Sequence, residues 1–150
     1  MTPKLDLALL EQALDICASF NLRKATRAVT QLFDDALQPV GIRVTQFVML
    51  VCTAVLKDPP INQLAETMVT DRTTLTRNLK PLIKRGFIRL RTGQDRRQRI
   101  AVLTPKGKTI ILKAVPYWDK AQKKVQEAFQ DRWNGFLKDL ALTVKISKKN

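Results

Sequence analysis

The side chains that most often perform chemistry are scarce in this chain. There is no histidine, which removes the commonest general base and every Ser-His or Cys-His pair. Two cysteines, Cys17 and Cys52, are too few to hold a metal without histidine partners. No glycine-rich phosphate loop and no paired carboxylates stand near an obvious cleft, so an enzyme, a metal site and a bound cofactor are all unexpected. Cations are plentiful: 27 Lys/Arg against 13 Asp/Glu, a formal charge of +14.

That charge is unevenly placed. Residues 1–60 carry six Lys/Arg and six Asp/Glu; residues 61–107 carry eleven and three; residues 108–150 carry ten and four. A neutral first part followed by a basic middle predicts a local footprint for a polyanion, not a diffuse solubilising charge.

Two stretches concentrate the cations. In INQLAETMVTDRTTLTRNLKPLIKRG, residues 61–86, apolar positions read as helix, short turn, helix. Asn62 is the expected cap of the first helix, with Leu64, Ala65 and Met68 inward; Thr70 or Asp71 is expected to cap the second. Leu75, Leu79, Leu82 and Ile83 form its inner face, and Gly86 ends it. The outer face is then Arg72, Thr73, Thr76, Arg77, Lys80 and Lys84. A self-solvating helix mixes both signs of charge. This one offers donors, as phosphates and the acceptor-rich edge of guanine require. Arg77 is the first choice for a base contact, because a guanidinium can bond both guanine acceptors. Thr73 and Thr76 could meet bases or phosphates, while Arg72, Lys80 and Lys84 suit phosphates.

The second stretch, TGQDRRQRIAVLTPKG at 92–107, places Asp95, Arg96 and Arg97 at a Gly-containing tip. On either side Ile88 and Leu90 alternate with Arg89 and Arg91, and Ile100 and Val102 with Arg99, which predicts a hairpin over 87–91 and 99–103. Thr104-Pro105 reads as a helix cap followed by proline at the first helical position.

Long helical segments flank these stretches. Leu5 to about Leu37 lacks proline and glycine, and its apolar residues step by three and four: one long helix is expected, broken by Pro39 and Gly41. Phe47, Leu50, Val51, Ala54 and Val55 give a second apolar face, closed by Asp58-Pro59-Pro60. After Pro105, stripes through Trp118, Ala121, Val125 and Ala128, and through Phe129, Trp133, Phe136, Leu140 and Val144, predict a helix that Pro116 bends, with a junction at Gly135 and a frayed SKKN end. The N-terminal MTPKLDLALLEQ is a poor signal peptide, and no window approaches ~18 unbroken apolar residues. No membrane association is expected, and cytoplasm is the default location.

This order of elements resembles the MarR family of winged helix-turn-helix transcription regulators. The family pattern at the wing is Asp-x-Arg, five residues, Leu-Thr, two residues, Gly; here it is Asp95, Arg97, Leu103-Thr104 and Gly107. LAETMVTDRTTLTRNLKPL looks like the family's helix-turn-helix, and NLRKATRAVTQLFDDAL like its first helix. Two departures stand out: Val69 occupies a turn position that often carries glycine, and Pro81 sits inside the second motif helix, where it should bend the later half.

The resemblance implies a mainly α fold with a small β-hairpin wing: a winged helix-turn-helix DNA-binding part at 40–104 and helical dimerisation parts at 1–38 and 105–147. It implies a homodimer acting as a repressor on pseudo-palindromic double-stranded DNA, with the second motif helix in the major groove. Arg97 would enter the adjacent minor groove, with Arg96 and Arg99 on phosphates. Asp95 would orient the arginine or its loop; a local Asx turn is an equal reading of that carboxylate, and both can hold. Release by a small anionic or phenolic effector is the family's common switch, for which Arg23, Lys24 and Arg27 are weak candidates beside a solvated helix face. Oxidation of Cys17 or Cys52 is the alternative switch, weighed against two buried, inert thiols. Non-specific nucleic-acid binding is the alternative function.

Overall fold

The computed structural model describes residues 5–147; MTPK at the start and KKN of the terminal SKKN lie outside the described residues. The elements are helices α1 (Leu7–Ile16), α2 (Ala18–Leu37), α3 (Val44–Val55), α4 (Ile61–Thr67) and α5 (Arg72–Lys84), strands β1 (Ile88–Thr92) and β2 (Arg99–Leu103), then α6 (Pro105–Phe129) and α7 (Trp133–Ser147). Short 3-10 turns occupy Gln38–Val40 and Gln130–Arg132.

The expected single helix over residues 5–37 is two helices. Cys17 leaves the helical region at φ −68°, ψ 109°, and the Asn21 side-chain amide donates to the carbonyls of Cys17 and Asp15 at 3.0 Å each, and of Leu14 at 3.4 Å. One side chain thus satisfies carbonyls that a helix end leaves orphaned, and no proline or glycine is needed for the break. Asp6 caps α1 through the amides of Ala8 and Leu9.

The core gathers between α3, α4, α5, the hairpin and the middle of α6. Leu37, Leu50, Leu64, Leu75, Leu79, Leu82, Ile88, Ala101 and Ala114 are buried there, and Trp118 of α6 meets Phe47 with ring centroids 6.0 Å apart. Full burial of each leucine contributes roughly 1.5–3 kcal/mol, so α5 is anchored along its whole inner edge. Val55, expected inward, is 72% exposed: as the last residue of α3 it lies off the stripe of Phe47, Leu50 and Thr53 that the helix buries, and the turn beyond it passes through Lys57 and Asp58, both left-handed at φ 53° and 61°.

Asn62 does not cap α4. Pro60 occupies the cap position, its fixed φ suiting the approach to a helix, and the Asn62 side chain is exposed. Val69 follows α4 at φ 51°, with its amide donating to Glu66 O at 3.1 Å and the Thr70 amide to Ala65 O at 3.0 Å. This left-handed exit is the one glycine makes easily, so the turn keeps its shape at a conformational cost. At the other end of the motif, Gly86 (φ 74°) closes α5 the same way, its amide on Ile83 O and that of Phe87 on Leu82 O.

β1 and β2 pair antiparallel with Ile88 opposite Leu103 and Thr92 opposite Arg99. The expected alternation of burial is absent from both strands: on β1 Ile88 alone is buried, Leu90 being 37% exposed, and β2 buries Ile100, Ala101 and Val102 in succession. The register puts Ala101 on the core side with Ile88 and Leu103, and Ile100 and Val102 on the side of Arg89 and Arg91. The outer edge of β2 is paired too: the Ala101 amide donates to Pro59 O at 2.9 Å, and Pro60 bridges Ile100. The Pro59-Pro60 segment therefore serves as a third, minimal strand tying the hairpin to the start of α4.

Thr104 caps α6, its Oγ1 accepting from the Gly107 amide at 3.0 Å while donating to Gly86 O at 2.6 Å. α6 runs through Pro116, and the junction falls at Gln130 (φ 50°, ψ −126°), not at Gly135, which lies inside α7. Phe129, Trp133 and Phe136 cluster around that junction, with the Phe129 and Phe136 rings stacked at 4.2 Å. Among the described residues no single helix is long and apolar enough to cross a membrane.

Candidate nucleic-acid interface

α5 presents the charged face from its first residue. Asp71 caps it: Oδ1 accepts the Thr74 amide at 2.8 Å and Oδ2 the Thr74 hydroxyl at 2.6 Å. These bonds to the ionised form, the hydroxyl's first, hold the Asp71 carboxyl below its usual range. With Leu75, Leu79 and Leu82 buried, Arg72, Thr73, Thr76, Arg77, Lys80 and Lys84 are all exposed along the opposite side. None of these cations makes an ion pair among the described residues, whose ion pairs are Arg91–Asp58 at 3.8 Å and Lys123–Asp119 at 2.8 Å. The face is uncompensated positive charge.

Pro81 does not interrupt α5, which continues to Lys84; the amide it lacks is the one that would have bonded the carbonyl of Arg77. Thr76 differs from the donor expected of it. Its hydroxyl donates to Arg72 O at 2.8 Å, so its remaining lone pairs face outward as acceptors.

The hairpin tip is shaped by its own backbone bonds. Asp95 Oδ1 accepts the Arg97 amide at 2.9 Å, Asp95 O accepts the Gln98 amide at 2.9 Å, and Gln98 O accepts the Gly93 amide at 2.9 Å. Asp95 thus forms the Asx turn, acting on the loop that carries Arg97. Arg96, Arg97 and Arg99 are exposed.

Helix and hairpin meet across a cleft of about 470 Å³ whose walls include Arg72 from α5 with Asp95, Arg97 and Arg99 from the hairpin. Asn62 and Gln63 of α4 line it as well, together with Gln98. Sequence reading assigned no site role to these three; what could have found them is that two polar residues open a short helix whose buried positions are Ile61, Leu64 and Ala65. Thr73, Thr76, Arg77, Lys80, Lys84 and Arg96 do not line this cleft; those of α5 extend the charged strip along the helix instead.

Arg23 and Arg27 share a shallow, open face of α2 with Ser19, Leu22 and Thr26, and no other element contributes to it. Lys24 points elsewhere, its Nζ 5.3 Å from the centre of the Phe20 ring. Cys17 is half-buried at the α1–α2 elbow, and Cys52 packs at the edge of the core. Burial pushes the Cys52 thiol up, away from the thiolate that oxidation needs.

A helix-turn-helix whose second helix carries an exposed cationic face, followed by a paired hairpin with an arginine tip, defines a winged helix-turn-helix protein. Residues 42–98 match the MarR family profile. The regulator MosR of M. tuberculosis, crystallised with DNA, is 34% identical and superimposes with a TM-score of 0.82 over 88% of this chain and 96% of its own. The chain belongs to the MarR family, whose members are DNA-binding transcription regulators. CouR, a repressor bound to a 23-mer duplex, shares the fold at 22% identity and TM-score 0.79, covering 95% of this chain and 99% of that one. CouR of Rhodococcus jostii RHA1 bound to p-coumaroyl-CoA is again 22% identical, with a TM-score of 0.73 over 89% and 94%. The uncharacterised HTH-type regulator YwoH of Bacillus subtilis is 24% identical over 83 residues, 55% of this chain and 61% of that protein's length.

Proposed function

We propose that the chain acts as a homodimeric repressor that reads a pseudo-palindromic DNA site and lets go of it when a small ligand binds. The observation that carries the DNA reading is the uncompensated cation strip along the exposed side of α5, whose first residue, Arg72, shares one cleft with Arg97 and Arg99 of the hairpin. In this reading Arg77 bonds a base edge in the major groove, Thr73 and Thr76 contact bases or phosphates, and Arg72, Lys80 and Lys84 neutralise phosphates. Thr76, as an acceptor, suits an exocyclic amine of adenine or cytosine. Arg97 enters the minor groove beside the hairpin, and Arg96 and Arg99 hold its rims.

Dimerisation is supported by the terminal helices. α1 buries no residue, and Leu7, Leu10, Leu14 and Ile16 on it are 45–84% exposed; Leu137, Leu142 and Ile146 on α7 are 44–69% exposed. Large apolar side chains exposed in such number on the terminal helices are seldom left to water. Two copies joined there would present two reading helices about 10 bp apart.

For the effector, a cavity of about 630 Å³ between α3, β2 and α6 is the better host than the open Arg23–Arg27 face. Ala54, Val102, Leu103, Ile111 and Leu112 give it an apolar lining, and Lys57 and Lys108 supply cations for an acidic group. The fold's capacity to hold an acyl-CoA in CouR favours this class of switch over oxidation of Cys52.

Selection of bound fragments from random duplex DNA by the purified protein tests the proposal. A symmetric motif recovered against excess non-specific duplex is the expected result. Recovery of unrelated fragments in proportion to their length would replace it with non-specific binding.

A further inference from the structure

We infer that Arg85 is a positioning residue that sets the spacing between the two DNA half-sites; the inference rests on the dimeric DNA-reading function proposed above. Arg85 stands at the C-cap of α5, at the far end from Arg72 and Asp71. Its guanidinium Nη1 donates to the carbonyl of Gly41 at 2.7 Å, across 44 residues of sequence. The same guanidinium lies over the ring of Phe87, 4.6 Å from its centre, and Phe87 is itself buried. Bond and stack together fix the direction of the side chain.

Gly41 is the point where the arm carrying the dimer surface turns into the DNA-reading lobe. α2 ends at Leu37, a 3-10 turn spans Gln38–Val40, and Gly41 exits in the left-handed region at φ 67°. A second tie crosses the same junction: Asp34 Oδ1, on α2, accepts the amide of Val44, the first residue of α3, at 2.7 Å. Asp34 therefore fastens the arm to α3, and Arg85 fastens it to α5.

The lever is long enough to matter. α5 has 13 residues, about 20 Å at 1.5 Å per residue, and is fixed in its lobe by Leu75, Leu79 and Leu82, so a swing of the lobe by ~10° about the Gly41–Arg85 junction displaces the Arg72 end of α5 by ~3.4 Å, one base-pair step. In a symmetric dimer the displacement occurs at both half-sites. The cation is held on a carbonyl at the trailing end of the helix, so its role differs from that of Arg72 or Arg77, which are exposed and make no ion pair among the described residues.

The test measures affinity for a selected symmetric site and for copies with the centre lengthened or shortened by one base pair, at several salt concentrations, for wild type, Arg85→Ala and Arg85→Lys. Loss of a charge-assisted bond is worth about tenfold. The ratio between best and altered spacing should shrink by about that factor in Arg85→Ala, with the salt slope unchanged. Arg85→Lys, a point charge without the planar fork, should recover only part of the ratio. If Arg85→Ala does not fold by circular dichroism, the lysine variant decides on the same terms. A wild-type ratio in the folded variant, or a slope reduced by about one as for a lost phosphate contact, would overturn the inference. A wild-type protein with no preference for any symmetric site would instead overturn the proposed function, and this inference with it.

Discussion

Gly107 passes so close to the carbonyl oxygen of Phe87 that a Cβ there would collide with it. The last residue before β1 and the first turn of α6 are in backbone contact, and Thr104 locks them by bonding both Gly86 O and the Gly107 amide. The Leu-Thr-x-x-Gly spacing at 103–107 is thereby explained physically. Gly107→Ala should cost about 1–3 kcal/mol, since the obstacle is backbone and cannot swing aside. Thermal unfolding measures this, and an unchanged midpoint would show that the two segments can separate freely.

Val69 holds a left-handed conformation that suits glycine. Relief of that strain, about 1–2 kcal/mol for an L-residue, outweighs the entropy lost by a glycine, about 0.5–1 kcal/mol. Val69→Gly should therefore raise stability in urea by up to ~1 kcal/mol. Val69 is 55% exposed, so little packing is lost in exchange. A lower denaturation midpoint would contradict the strain assigned to this turn.

Asp71 gives the reading helix an acid-sensitive cap. Its carboxyl is held below the usual value by the Thr74 hydroxyl and amide. The folded form thus binds its proton less readily than the unfolded chain, and stability rises with pH through this window. The contribution is complete above about pH 4, the ordinary aspartate range, and is lost as pH falls through the lower folded value. Asp71→Asn keeps a cap that does not titrate, so its stability should fall less steeply than wild type below about pH 4. Identical acid limbs in chemical denaturation would exclude Asp71 as a source of the slope.

Removal of Arg97 should separate binding from folding. Arg97→Ala is expected to weaken affinity for the selected site by about tenfold or more, with circular dichroism and dimerisation unchanged. The side chain is exposed, and its backbone amide, not its guanidinium, is what Asp95 holds. Gel-shift titration at physiological salt gives the answer; equal affinity would detach the hairpin tip from DNA recognition.

The exposed leucines of α1 make the assembly testable. Sedimentation at micromolar concentration should report twice the chain mass. Leu14→Lys, which places a charge at a position 49% exposed in the single chain, should shift the species toward one chain mass. A wild-type monomer would remove the basis for two half-sites.

Much of the interface was legible because helical spacing and capping are local. The inner leucines of α5, the Asp71 cap, the paired strands and Thr104-Pro105 all follow from neighbours within a few residues. What escaped depended on groups brought from outside those windows. The elbow at Cys17 comes from the reach of one Asn21 amide to three carbonyls, which no propensity encodes. Ile100 and Val102 are buried although the register puts them on the side of Arg89 and Arg91, away from Ile88, where the Pro59-Pro60 segment runs along the edge of β2. Asn62 lost the cap to Pro60 and gained a place in the cleft instead. The junction in the C-terminal helices sits at Gln130, beside an aromatic cluster, although Gly135 carries the stronger local signal.

The Asx turn at the hairpin tip has a kinetic consequence. Three short backbone and carboxylate bonds, at Gly93, Asp95 and the Arg97 amide, restrict the loop before any duplex arrives. The disorder that a floppy basic loop would surrender on docking has already been given up during folding. The loop backbone is thus set in advance while the Arg97 guanidinium stays free to adjust, so under the proposed reading tightening at this position will show chiefly as slower escape from the duplex, with the encounter rate left to long-range charge.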